Sequence, residues 1–251
     1  MTARGRFPGD TSRYAVTITR DAALLEEVQR LRYRVFGDEF GAVLPGREGV
    51  DADRFDPFCD HLVVRDVLSG VPVGTYRVLS PDAAREAGGY YTEQEFDLGS
   101  LVTLRPGLAE LGRTCVDPAH RAGPVMLLMW SALARFAIDR GYRHLIGCAS
   151  LGIGQGAAAS HAIFRRLAAD GLAPEGLRVA PRNPLPSPEP TGTMPAAPEV
   201  PSLVRGYLTL GAWVCGEPSW DANFACADIP MLLDLERLDP RFVRHFLARS
   251  A

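Results

Sequence analysis

Residues 108–169 pass from strand to turn to helix to strand to helix with little chain between, and no other stretch constrains the fold as much. LAELGRTCV, residues 108–116, reads as a strand that Asp117 and Pro118 end. Pro124 stands where a helix opens, since a first-turn residue needs no backbone N–H. Leu127, Leu128, Leu133, Ala134 and Phe136 then recur on the apolar side of a helix to about Arg140, and Gly141 stops it. HLIGCAS, residues 144–150, reads as a buried strand, and a helix follows from about Gln155 to Ala169, stopped by Gly171. Such alternation builds helix layers on a central sheet.

The flanking chain extends the pattern. YAVTIT (14–19) alternates as a strand, and Asp21 is an N-cap for a helix to about Phe36 with Leu24, Leu25, Val28, Leu31 and Val35 at helical spacing. Residues 37–60, rich in Gly, Asp and Pro, read as a lid or binding loop. HLVVRDV and VPVGTYRVL form a hairpin about Ser69 and Gly70, and a short helix is expected around Asp82 to Ala87. Eight prolines between Pro181 and Pro201 mark a connector. YLTLGAWVCG and FACADIPMLLDL read as two further strands, and Asp239-Pro240 opens a last helix. The expectation is an α/β fold: a mixed central sheet flanked by helices, with a Pro-rich arm and extra C-terminal strands and helix. Residues 1–13 are expected to be a flexible lead, and 14–251 one domain containing the 181–201 connector.

Charge narrows the chemistry. All 27 basic residues are Arg, which excludes a Schiff base or a phosphate-loop lysine on this chain. A net charge of −3 argues against a nucleic-acid partner. The five Cys form no C-x-x-C pair and the five His no H-x-x-x-H spacing, so free thiols and no metal site are expected. MTARGRFPGDTSR lacks an apolar signal core and no stretch approaches the ~18 apolar residues of a membrane span, so a cytoplasmic location is expected.

Five segments carry candidate chemistry. In LRYRVF, Arg32 and Phe36 share a helix face; Arg32 can clamp a carboxylate or phosphate, or lie over a core Phe. Asp51, Asp53, Asp56 and Asp60 crowd one loop, as holders of substrate amines or as turn-formers. Arg77 sits on an apolar strand and needs a carboxylate partner. Glu110 and Arg113 lie on a strand leading to a helix N-terminus, where a carboxylate can take a proton from an amine and free N–H groups can bind an oxyanion or pyrophosphate; a Glu–Arg structural pair is the alternative. SLGIGQG before a helix is simple turn geometry.

Glu-x-x-Arg followed by V-x-P-x-x-R (Val116, Pro118, Arg121) and a helix resembles the acyl-carrier motif of GNAT acyltransferases. LRYRVF with Glu39 and Gly41, then Asp53-x-x-Asp56, Arg77, Glu110 and Arg113, resembles autoinducer synthases, N-acyl amino acid synthases and ornithine N-acyltransferases; residues 202–235 and RFVRHFL are similar to the ornithine branch. The resemblance implies transfer of a fatty acyl group, a 3-hydroxyacyl chain, from acyl carrier protein to the α-amine of an amino acid, ornithine above all, giving lyso-ornithine lipid. An acetyl-coenzyme A enzyme or a non-catalytic relative is the alternative. It implies Glu110 as base, Arg113 holding Glu110 or the acyl hydroxyl, Arg32 and Arg77 on a carboxylate or the phosphopantetheine, Asp53 and Asp56 on amines, and Phe36 along the acyl path. Val116, Arg121 and Gly123 would face the donor, with no bound cofactor. Two departures stand out. Only Gly123 remains of the usual glycine loop and Pro124 removes a donor, which favours a carrier protein over coenzyme A. The Trp of the autoinducer synthases is missing near Gly41, which argues against a homoserine lactone. The amphiphilic product implies transient contact with a membrane surface, with Trp213 and Trp220 as anchors or as core aromatics.

Overall fold

The computed structural model describes residues 11–44, 46–152, 156–186, 199–238, 241 and 243. Strand β1 (Tyr14–Thr19) leads to Asp21, whose carboxylate accepts the Leu24 N–H at 2.9 Å and starts α1 (Ala22–Tyr33). The expected helix to Phe36 changes hand-over at Tyr33: residues Arg34–Glu39 widen into a π-turn, with the Phe40 N–H donating to the Val35 carbonyl. Antiparallel β2 (Asp60–Asp66) and β3 (Pro72–Leu79) follow, then α2 (Pro81–Glu86), capped by Ser80. Residues 87–107 hold two 3-10 turns around β4 (Phe96–Asp97). β5 (Leu108–Val116), α3 (Val125–Asp139), β6 (His144–Gly152) and α4 (Ala157–Gly171) realise the central run, within two residues of each boundary expected.

The C-terminal part departs from the sequence reading. Of the expected strand YLTLGAWVCG, residues 207–210 belong to helix α5 (Ser202–Leu210) and only β8 (Trp213–Val214) is extended. Val204 and Leu210 bury a helical face, Pro201 precedes the first turn and Gly211 ends it at φ 102°. The expected strand at FACADIPMLLDL is β10 (Cys226–Asp234); between lie β7 (Ala180–Pro181), paired with β4, and β9 (Ser219–Asp221), on β10. All of the expected final helix but residues 241 and 243, residues 1–10 of the lead and residues 187–198 of the connector lie outside the described residues.

The main sheet has eight strands in the order β1-β2-β3-β5-β6-β10-β8, with β9 on β10. The β5–β6 pair is parallel and the other pairs are antiparallel. Alternation along β3 sends Tyr76 and Val78 into the core under α3, with Met129 and Leu133, and Arg77 to the other face, toward α1. The consequential feature is a fork. β5 and β6 pair only from Leu108–His144 to Glu110–Ile146; beyond this β5 stays on β3 and β6 on β10.

Candidate active site

Six of the residues singled out in the sequence meet in one buried ion network. Arg32, fully buried on α1, donates from Nε to Asp51 at 2.7 Å and from both terminal nitrogens to Asp56 at 2.8 and 3.1 Å. Arg77 on β3 donates to Asp53 at 2.6 Å and to Asp56 at 2.9 Å. Arg113 on β5 donates to Asp53 at 3.2 Å, and its Nε faces Asp51 at 3.2 Å without hydrogen-bond geometry. Three guanidiniums from three elements thus meet three aspartates of the 37–60 loop, and the charges cancel. Burial pushes the Asp56 carboxyl up, but Arg32 and Arg77 outweigh it and hold it below the usual carboxylate range. Burial opposes the charge on Arg77 too, and Asp53 and Asp56 outweigh it.

Glu110 lies beside this network and not in it. Its Oε1 accepts from the Thr92 N–H at 2.7 Å and the Thr92 hydroxyl at 2.6 Å; its Oε2 accepts from the Tyr91 N–H at 2.8 Å. The Glu–Arg pair considered from sequence is replaced by Glu110 on the 91–92 turn and Arg113 on Asp51 and Asp53. Burial pushes the Glu110 carboxyl up against the pull of those hydrogen bonds.

A cavity of about 570 Å³ occupies the fork. Tyr76 and Arg77, on opposite faces of β3, both line it, so it passes through the sheet where β5 and β6 part. One end is apolar, among Trp130, Leu133 and Ala134 of α3, Leu210 of α5 and Leu233 of β10. The other is polar, with Arg77, Glu110, Arg113, Asp221 and Asp228. Among the described residues Arg113 and Ala225, both on its wall, are the two non-glycine residues of positive φ, 50° and 46°. Phe36 also lines the cavity; Arg32, Asp53, Asp56, Val116, Arg121 and Gly123 do not.

The last three lie where β5 leads toward α3. Arg121 pairs with Glu39 through both terminal nitrogens at 2.6 Å and donates Nε to the Val116 carbonyl at 3.0 Å. The Gly123 N–H donates to the His120 carbonyl at 3.2 Å. The N-terminus of α3 has no side-chain cap, so its first-turn N–H groups remain open to a ligand. Cys115 packs with Leu31, Val35 and Phe36, and burial pushes its thiol up to about 12. Trp220 is half-buried in the core cluster of β10, and Trp213 lies under the Arg237 guanidinium at 3.7 Å.

Sequence reasoning passed over Glu95, Asp221 and Asp228. They come from the turn before β4, from β9 and from β10, and all are buried. Asp228, alone in an apolar strand pattern, was the available signal; Glu95 and Asp221 had none. Among the described residues two groups offer metal-type donors, Glu95 with Cys148 and Asp228, and Asp221 with Cys226 and Asp228. Both include a thiol that burial pushes up, which opposes the thiolate a metal requires.

Residues 31–131 match the family model described as an acetyltransferase (GNAT) domain. The chain is 36% identical over 249 residues to a Rhodobacter capsulatus protein named L-ornithine N(alpha)-acyltransferase, covering 94% of this chain and 95% of that one. It is similar in fold to a CoA-dependent acyl-homoserine lactone synthase solved with SAM and isopentyl-CoA (TM-score 0.57, 14% identity, 94% of this chain and 89% of that one). It is likewise similar to an N-acyl amino acid synthase from uncultured soil microbes (TM-score 0.56, 13% identity, 94% and 95%).

Proposed function

The chain belongs to the L-ornithine N(alpha)-acyltransferases, a GNAT acyltransferase family, and from that premise we propose that it transfers a 3-hydroxyacyl chain from acyl carrier protein to the α-amine of L-ornithine, yielding lyso-ornithine lipid. The observation that carries the reading is the cavity through the sheet: its apolar length suits a fatty acyl chain, and its polar end gathers Glu110 and Arg113.

Glu110, directly or through a water, takes the proton of the α-ammonium. The neutral amine attacks the thioester carbonyl, the C–N bond forms, the C–S bond breaks and the pantetheine thiol leaves with a proton. The β5 edge that faces the fork lacks a ladder partner past Glu110, so its backbone N–H groups can meet the oxyanion. Arg113, on the cavity wall beside Glu110, binds the ornithine carboxylate, while Arg32, Arg77, Asp53 and Asp56 hold the wall that positions it. The Gly123 N–H is committed to a turn and Pro124 has none, which leaves α3 to meet the single phosphate of a carrier's phosphopantetheine. Among the described residues no helix is long and apolar enough to cross a membrane, and the amphiphilic product leaves by transient contact of a cytoplasmic enzyme with the membrane surface.

Product mass spectrometry tests this. Purified protein is given 3-hydroxyacyl carrier protein or acetyl-coenzyme A, each with L-ornithine and a panel of amino acids. The expected product is Nα-(3-hydroxyacyl)ornithine from the carrier-protein arm; acetylated product from coenzyme A alone overturns the reading. Glu110→Gln is expected to lower kcat by about 100-fold or more.

A further inference from the structure

Glu95, Asp221 and Asp228 are 7, 7 and 5% exposed and form a cluster of carboxyls at the polar end of the cavity, where Asp221 and Asp228 line it. The three aspartates of the ion network share three guanidiniums; among the described residues no guanidinium pairs with this second trio. Both oxygens of the Glu95 carboxylate are buried with no hydrogen-bond partner among the described residues. Its neighbours are the Cys148 thiol and Asp228, with the donor atoms of all three within 4.8 Å of one another, and Asp228 stands equally close to Asp221 and Cys226. Around these groups the aromatic Tyr91 contributes a hydroxyl to Asp221 at 3.5 Å. Arg113 is the cation that acts on Glu95, and it is already engaged by Asp51 and Asp53. An ionised carboxylate held this way is expensive unless a cation arrives.

The cluster adjoins the reacting end. The Cys148 thiol donates to the Thr92 hydroxyl at 3.7 Å, and that hydroxyl donates to Glu110. We propose that Glu95, Asp221 and Asp228 bind the side-chain ammonium of the acceptor amino acid, and so select a diamino acid and decide which of its two amines is acylated. The inference rests on ornithine as acceptor. An ammonium among three carboxylates keeps its proton and cannot attack, whereas the α-amine beside the single carboxylate of Glu110 gives its proton up. Acylation at Nα and not at the terminal nitrogen follows from that asymmetry. Burial and the neighbouring carboxylates push the carboxyls of Glu95 and Asp228 up in the absence of such a cation, in keeping with a site short of positive charge.

The test compares L-ornithine with L-norvaline, which has the same carbon chain and no terminal amine, in the wild type and in Glu95→Gln and Asp228→Asn. The wild type is expected to prefer ornithine, and the ratio of kcat/KM between the two acceptors to fall about 100-fold in each variant, chiefly through the KM for ornithine. The variants are expected to melt no lower than the wild type, because an amide replaces a carboxyl that burial already pushes toward its neutral form. Equal losses on both acceptors, or an unchanged preference, overturn the subsite. So does a wild-type melting temperature that falls with EDTA and returns with a divalent metal, since the cation would then be inorganic. A wild type that does not acylate ornithine at all fails the parent reading, and the subsite with it.

Discussion

Asp56 accepts hydrogen bonds from two buried guanidiniums, and removing its charge leaves Arg32 with Asp51 alone and Arg77 with Asp53 alone. Asp56→Asn is expected to lower unfolding free energy by about 3–5 kcal/mol at pH 7, measured by urea denaturation. The pH dependence has a definite sign. With the folded carboxyl held below the ordinary value, its stabilisation is full above the unfolded pKa and is lost as pH falls through the folded one, so the gap between wild type and variant narrows toward acid. The crowding of Asp51, Asp53 and Asp56 and the placement of Arg32 and Arg77 on apolar elements were legible in the sequence, because a charged residue in an apolar pattern announces a partner. Which partner was not: Arg113 stands three residues from Glu110 in the chain, yet its carboxylates come from residues 51 and 53. Glu95, Asp221 and Asp228 converge from three separate elements, a juxtaposition that only the fold supplies.

At the scale of elements, the strands β5 and β6 approach closely just past their last paired residues, Glu110 and Ile146, where the fork begins. A Cβ at Gly147 would run into the Leu111 carbonyl oxygen, a backbone atom that cannot rotate away. Gly147→Ala is therefore expected to cost about 1–3 kcal/mol of stability and to reduce turnover on every acceptor alike, read by chemical denaturation and initial rates. The strands and helices of residues 108–169 were legible because their periodicity, proline and glycine signals agree. Helix α5 was not. YLTLGAWV is rich in aromatic and bulky apolar residues, which favour a strand locally. Packing decides otherwise: Val204 and Leu210 enter buried clusters, and Gly206 brings the α5 backbone so close to Trp130 of α3 that a Cβ there would overlap the indole. The splay of β5 from β6 leaves no mark in either strand's own sequence pattern, since both remain strands throughout.

For the whole molecule, the fork makes the sheet a partition with a passage through it. Charged groups cluster on the α1 side, and the apolar end of the cavity is enclosed by α3, α5 and the end of β10. A thioester threaded through this passage would place its carbonyl near Glu110 and its chain among α3 and α5, and the depth of the apolar end would then set acyl length. Ala134 is a small residue on that wall, packed with Leu210 and Leu238. Ala134→Phe adds a ring there without touching the polar end. The expected outcome is a shift of the product profile toward shorter acyl chains, seen by mass spectrometry with a mixture of carrier-protein donors, while the KM for ornithine stays within about twofold. A shift in ornithine KM with no change in chain length would mean that the acyl chain runs elsewhere. The two halves of the cavity are chemically separate, and so substitutions at Ala134 and at Asp228, which line opposite halves, should add in free energy when combined, as independent sites do.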